Sequence, residues 1–166
     1  MAVRSRAAAS HLDMDTLVTE VYAKYADELI RYSTALVGPS GAEDVFAAAF
    51  ARLLSLSDWS AIREIRAYLY QAVLNEARAQ HRATQRRLKR DSRDHSSAMA
   101  ESASFVVRWE VLDAIRRLGV RQRAVVYLTY WGDLSVDEVA DRLGVSVRTV
   151  ARDLARGRVK LEELLS

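Results

Sequence analysis

The chain has 166 residues, half of them hydrophobic, with a net charge of +3, one proline, six glycines and no cysteine. That length holds one medium domain or two small ones, and the scarcity of proline and glycine favours helix throughout. Disulfides, thiol catalysis and cysteine-ligated zinc are excluded, a cytosolic setting fits, and no apolar run is long enough to span a membrane.

Residues 1–12 carry two arginines but no apolar core of signal-peptide length, so a disordered tail is expected there. A first helical domain is expected over 13–90. Leu17, Val21, Tyr22, Tyr25, Leu29, Tyr32 and Leu36 recur at helical spacing, and the run Gly38-Pro39-Ser40-Gly41 ends that helix. A second helix is expected from about Ala42, with Val45, Phe46, Phe50, Leu53 and Leu54 as its stripe. Residues 55–60 (SLSDWS) read as a loop. A third helix starts near Ala61 or Ile62, with Ile65, Tyr68, Leu69, Ala72, Val73 and Ala77 inward, and turns basic after Ala79.

Residues 91–104 are polar, serine-rich and aperiodic, which suits a flexible linker. A second domain is expected over 105–166. Val107, Val111, Leu112, Ile115 and Leu118 mark one helix, and Val125, Val126, Leu128 and Tyr130 another. Ser135 with Glu138 then forms an S-x-x-E capping box, followed by Val139, Ala140 and Leu143 on one face. Gly144 supplies a turn and Ser146 caps a last helix, with Val150, Leu154 and Val159 expected inside. Arg148, Thr149, Arg152 and Arg156 are left to project outward. This is the pattern of a helix-turn-helix, whose second helix enters a DNA major groove. A helical hairpin with a solvated basic face would share part of the pattern, but not the agreement of cap, turn, core spacing and outward arginines. The expected fold is therefore all-α, two small helical domains on a tether.

Charge is unevenly spread. Residues 13–58 hold eight acids and three bases, residues 61–90 eight bases and two acids, and residues 142–160 six bases and one acid. Two basic blocks after an acidic one suit contact with nucleic acid at two places and with something basic at a third. Trp59, Arg63, Arg66, Asn75, Arg78 and Arg82 offer the stacking and base-edge chemistry that captures an unpaired strand. Trp59 suits a core-capping position equally well, and Asn75 a locally bonded one. His11, His81 and His95 lie far apart, so no metal site is expected. No nucleophile motif, glycine-rich phosphate loop or histidine cluster is present, so neither an enzyme nor a cofactor or small-molecule substrate is expected.

These pieces together resemble the extracytoplasmic-function group of bacterial RNA polymerase sigma factors. The motifs are Y-x-x-Y-x-x-x-L-x-R-Y (22–32), G-x-x-x-A-E-D (38–44) with Phe50, R-A-Y-L-Y-x-x-V-x-N (66–75), Gln122-Arg123, and the helix-turn-helix itself. The resemblance implies a region 2 bundle, a linker and a region 4 helix-turn-helix. It implies binding to core RNA polymerase, opening of the minus-10 element by region 2 and reading of the minus-35 element by region 4. It also implies an anti-sigma partner. On that reading Ser146, Arg148, Thr149, Arg152, Arg156 and Arg158 meet the upstream element, and Trp59, Arg63, Arg66, Asn75, Arg78 and Arg82 the downstream one. Glu43, Asp44, Ala47 and Ala48 would meet the polymerase.

The chain departs from the family pattern at several places. Ala47 and Ala48 replace a usual glutamine and acid, and Gly119 replaces a usual proline. Asp153 stands where arginine is common, and an acid facing DNA would repel phosphate unless it read a cytosine amine. A stand-alone helix-turn-helix regulator and a sigma-derived protein-binding adaptor are the alternatives.

Overall fold

A computed structural model describes residues 2–59, 61–91 and 109–165, with side chains described for 15–59, 61–90 and 113–165. Among the described residues there are seven helices and no strand: α1 (Ala2–Val37), α2 (Pro39–Leu54), α3 (Ile65–Asp91), α4 (Trp109–Arg116), α5 (Val120–Tyr130), α6 (Val136–Leu143) and α7 (Val147–Leu165). The expected linker lies outside the described residues apart from Asp91, which ends α3. Helix α1 begins at Ala2, within the stretch expected as a tail, and the high helix propensity of Ala7, Ala8 and Ala9 suits that start. Helix α2 also starts earlier than expected, because Pro39 occupies its first turn, where a missing N–H costs nothing.

In the first block α1, α2 and α3 pack on one another. Leu29, Tyr32 and Leu36 of α1 meet Phe46, Ala49 and Leu53 of α2 and Leu69, Val73 and Ala77 of α3, all buried. Each set repeats at three or four residues, which is what keeps one stripe of a helix facing inward. Each buried leucine contributes about 1.5–3 kcal/mol. Arg52 of α2 pairs with Glu76 of α3 at the rim. In the second block α5 is the central helix, with Val120, Ala124, Val125, Val126 and Leu128 buried. Gly119, in place of proline, keeps an N–H that donates to the Gln122 carboxamide at 2.9 Å and so caps α5.

The two blocks pack directly, α1 and α3 against α5 and α6. Their seam is aromatic and polar. Tyr32 of α1 lies with ring centroids 4.6 Å from Tyr70 of α3 and 5.6 Å from Tyr127 of α5. Glu28 of α1 accepts hydrogen bonds from Arg66 Nε at 3.0 Å and Nη2 at 2.6 Å, and from the Tyr70 hydroxyl. Arg142 of α6 lies 5.2 Å above the Tyr70 ring. Arg123 of α5 reaches the Leu36 carbonyl at the end of α1. Burial alone would raise the Glu28 carboxyl, but Tyr70 and Arg66 outweigh it and hold it below the usual carboxylate range. Burial pushes the Tyr70 and Tyr32 hydroxyls up, Tyr70 further through its bond to Glu28. The Tyr32 hydroxyl is buried with no hydrogen-bond partner, at a cost of about 1–3 kcal/mol.

Gly144 closes the turn of the helix-turn-helix with φ 63° and ψ 38°, the left-handed region. A Cβ there would also stand 2.9 Å from Gln71 Nε2 of α3. Gly144→Ala should therefore lower stability by about 1–2 kcal/mol in urea unfolding, and an unchanged midpoint would contradict this account of the turn. A second expectation follows from Glu28. Its folded-state pKa is depressed, so its stabilisation is complete above the ordinary value of 4.5 and is lost as pH falls below that value. Glu28→Gln should be less stable at neutral pH and show a flatter acid dependence below about pH 5. Parallel acid profiles for the two proteins would contradict it.

Candidate nucleic-acid interface

Helix α6 begins as its sequence requires. Ser135 Oγ accepts from the Glu138 N–H at 3.3 Å, and the Ser135 N–H donates to Glu138 Oε2 at 2.8 Å. The backbone N–H of Ser135, then its side chain, hold the Glu138 carboxyl below its usual range. Helix α7 is capped in the same way: Ser146 Oγ accepts from the Thr149 N–H at 3.2 Å and lies 2.8 Å from the Thr149 hydroxyl. Ser146 and Thr149 thus already have partners in the cap. Arg148, Arg152 and Arg156 are exposed, at i, i+4 and i+8 on one side of α7. Arg158 is exposed on another flank, where Nε donates to the Tyr130 hydroxyl at 2.7 Å. These six residues lie on one helix and its cap, but Arg158 is turned toward α5.

Two expectations for α7 are corrected. Val159 is 54% exposed, because the inner face runs through Val150, Asp153 and Gly157 instead. Gly157 brings α7 close to α5: a Cβ there would meet Val126 at 3.3 Å. Asp153 does not face outward. It is 4% exposed, and its Oδ2 accepts from Arg121 Nε of α5. That pairing removes the phosphate repulsion expected of an outward acid.

Helix α3 presents Asn75, Arg78 and Arg82, all exposed and spaced at i, i+3 and i+7, so they form one stripe. Arg86 continues it. Arg63 is exposed in the segment before α3. Arg66 is drawn aside by Glu28, its side chain 42% exposed. Trp59 is corrected: at 8% exposure it belongs to the core, and its carbonyl accepts from the Ile62 N–H at 3.0 Å, fixing the loop. Sequence spacing could not decide this, because Trp59 lies between helices. Tyr70 is buried and Tyr68 half-buried, as their different helical faces require.

On α2, Glu43, Asp44, Ala47 and Ala48 are all exposed and form one continuous surface. Beside them Tyr22 of α1 is 48% exposed, its ring centroid 5.7 Å from Phe46 and 5.3 Å from Phe50. Tyr22 thus falls in the apolar stripe of α1 but is about half exposed, packed on Phe46 and Phe50. At the far end of the second block Tyr130 and Trp131 are 51% and 66% exposed beside an apolar groove with Ile115, Leu161 and Leu165. Their aromatic character was legible; their exposure was not. Among the described residues no group of acids and histidines could hold a metal, and no helix is long and apolar enough to cross a membrane.

The geometry is that of a capped recognition helix on one block and a basic helix face on the other. Residues 108–161 match the family model "Sigma-70, region 4". The chain is 31% identical over 153 residues to the RNA polymerase sigma-E factor of Streptomyces antibioticus, covering 88% of this chain and 83% of that one. It is 31% identical over 144 residues to the sigma-E factor of Streptomyces coelicolor, covering 84% and 80%. Among solved structures it resembles the sigma factor RpoE in complex with the anti-sigma factor NepR from Bartonella quintana, with a TM-score of 0.65 at 20% identity over 89% of this chain and 95% of that one. It also resembles CnrH in complex with the cytosolic domain of CnrY, with a TM-score of 0.61 at 25% identity over 91% and 88%. The all-helical fold, the capped helix-turn-helix and relatives aligned along most of both chains place this protein in the extracytoplasmic-function group of RNA polymerase sigma factors, which direct transcription initiation.

Proposed function

We propose that the chain binds core RNA polymerase in the cytoplasm, carries it to promoters and reads two promoter elements, with no catalysis of its own. The observation that carries this reading is the pairing of outward Arg148 and Arg152 on a capped helix with the Asn75–Arg78–Arg82 stripe on α3. Arg148 and Arg152 lie in the first turns of α7, where base edges of the minus-35 element are reachable, with Thr149 and Ser146 beside them. Arg156 holds phosphate, and Arg158 does so from its seat on Tyr130. On α3 the amide of Asn75 pairs with an exposed base edge, while Arg63, Arg78 and Arg82 hold the opened minus-10 strand. Arg66 joins them once Glu28 releases it. Trp59 stays in the core.

The clasped blocks bear on how this works. The minus-10 and minus-35 elements lie about 25 base pairs apart, roughly 85 Å along the duplex at 3.4 Å per pair. In the free chain α6 touches α3, and α7 packs on α6. With a single helix between α3 and α7, the two reading surfaces lie far closer together than the two promoter elements. Both elements are read at once only after the seam opens. One solved neighbour is bound to the anti-sigma factor NepR and the other to the cytosolic domain of CnrY, and the clasped form is a fitting target for an anti-sigma partner here.

Run-off transcription tests the reading. Core polymerase supplemented with the chain should initiate at a promoter to which core alone is silent. Sequence-specific duplex binding without any transcript would instead support a stand-alone regulator. A second expectation concerns α2. The exposed Ala47 and Ala48 offer no polar group to a basic polymerase surface. Ala47→Gln with Ala48→Glu should tighten core binding by about 1–2 kcal/mol, a hydrogen bond and a charge pair. Equal affinity of the double variant, wild type and Asp44→Lys would place the polymerase contact elsewhere.

A further inference from the structure

Asp153 is the sharpest departure of α7 from the family pattern, and its carboxylate has two neighbours. Oδ2 accepts from Arg121 Nε of α5, and Oδ1 lies 4.0 Å from Nε of Arg152. The carboxylate is buried, while the Arg152 side chain is 51% exposed. One acid therefore stands between an anchored arginine and one that reaches the surface where DNA would lie. A guanidinium carries five N–H donors on a planar fork. At 4.0 Å the Arg152 Nε stands at ion-pair range of Asp153 without a hydrogen bond between them, which leaves both terminal nitrogens for a partner. Those two nitrogens are the pair that matches O6 and N7 of guanine.

We propose that Asp153 is a positioning residue for Arg152: it orients the guanidinium so that its outer fork meets a guanine edge in the upstream element. The proposal rests on the reading above, in which Arg152 meets a base. Arg121 makes the arrangement workable. It neutralises the buried acid, so that Asp153 directs Arg152 without adding negative charge to a surface that meets phosphates. Without Asp153 the long Arg152 side chain samples other rotamers and finds phosphate as readily as a base, so sequence preference falls while general affinity stays.

The test uses the full chain with core polymerase on a library of upstream-element duplexes. The proteins compared are wild type, Arg152→Ala, Asp153→Asn, both changes together, and Arg121→Gln with Asp153→Asn. Arg152→Ala should flatten preference at one base pair by about tenfold or more. Asp153→Asn should flatten the same base pair by about three- to tenfold, and should add nothing in the Arg152→Ala background. Affinity for non-specific duplex and the salt slope should stay as in wild type. The Arg121→Gln, Asp153→Asn pair removes both charges, so it keeps the fold even if Asn alone strands Arg121; it should show the same loss at the same base pair. A purely structural role would lower melting temperature and weaken all sequences alike, leaving the ranking of bases intact; that result overturns the proposal. If Arg152→Ala leaves every preference unchanged, Arg152 is no reader and the proposal falls with that reading. If Arg152→Ala flattens one pair while both Asp153 variants retain it, the reading stands and the positioning role is overturned.

Discussion

The Glu28 carboxylate ties α1 to α3 beside the seam where the two halves of this molecule meet. It gathers Arg66 and Tyr70 from α3, feels the charge of Arg142 from α6, and through Tyr70 joins the Tyr32–Tyr127 contact. Burying a carboxylate costs free energy unless charged and hydrogen-bonding partners replace water, and here they do. The same node occupies Arg66, one of the basic residues of the α3 surface. The Glu28–Arg66 bond itself lies within the first block; the node reaches the second through Arg142 above the Tyr70 ring and through the Tyr32–Tyr127 contact. The seam is polar as well as aromatic: it leaves the Tyr32 hydroxyl without a partner, and half-buried Arg123 donates to the backbone carbonyls of Leu36 and Leu118.

The second block shows how the outward face of α7 is set by groups that lie inside. A reciprocal cap at Ser135 and a single serine cap at Ser146 fix where α6 and α7 begin. Gly144 fixes the angle between them, and Gly157 lets α7 lie close on α5. The Arg121–Asp153 pair then ties the middle of α7 to the start of α5. Breaking one partner of such a pair costs more than the pair contributes, because a charge is left stranded. The outward residues Arg148, Arg152 and Arg156 are positioned by this inner set.

Much of this was legible in the residue order. Capping boxes, the glycine turn and apolar stripes are local signals, and α6, α7 and the cores of α2 and α3 follow them closely. What was not legible is non-local. Glu28 and Arg66 are 38 residues apart, and Arg121 and Asp153 are 32 apart. No periodicity announces such pairs. Asp153 read as an outward acid because polar residues on an amphipathic helix usually are; only its partner on α5 explains its burial. Trp59 sat in a loop, where neither period nor cap says which way a side chain turns. Val159 erred differently: the inward stripe shifted by part of a turn because Gly157, too small to look like core, took a place at the α5 contact. The serine-rich stretch suggested two independent domains, yet the contact between blocks is written in Tyr32, Tyr70, Tyr127 and Gln71, which read individually as core or surface of one block.

The central claim is that the free chain is clasped and that its blocks part when it reads a promoter. The chain has no cysteine, so Ala23→Cys on α1 and Ala155→Cys on α7 can be spin-labelled cleanly at exposed positions. Pulsed electron–electron double resonance should give one short distance in the free protein. In the complex with core polymerase and promoter DNA that distance should lengthen by tens of ångströms, toward the roughly 85 Å set by the duplex at 3.4 Å per base pair. The same distance in both states, in a complex that makes transcript, would contradict the account.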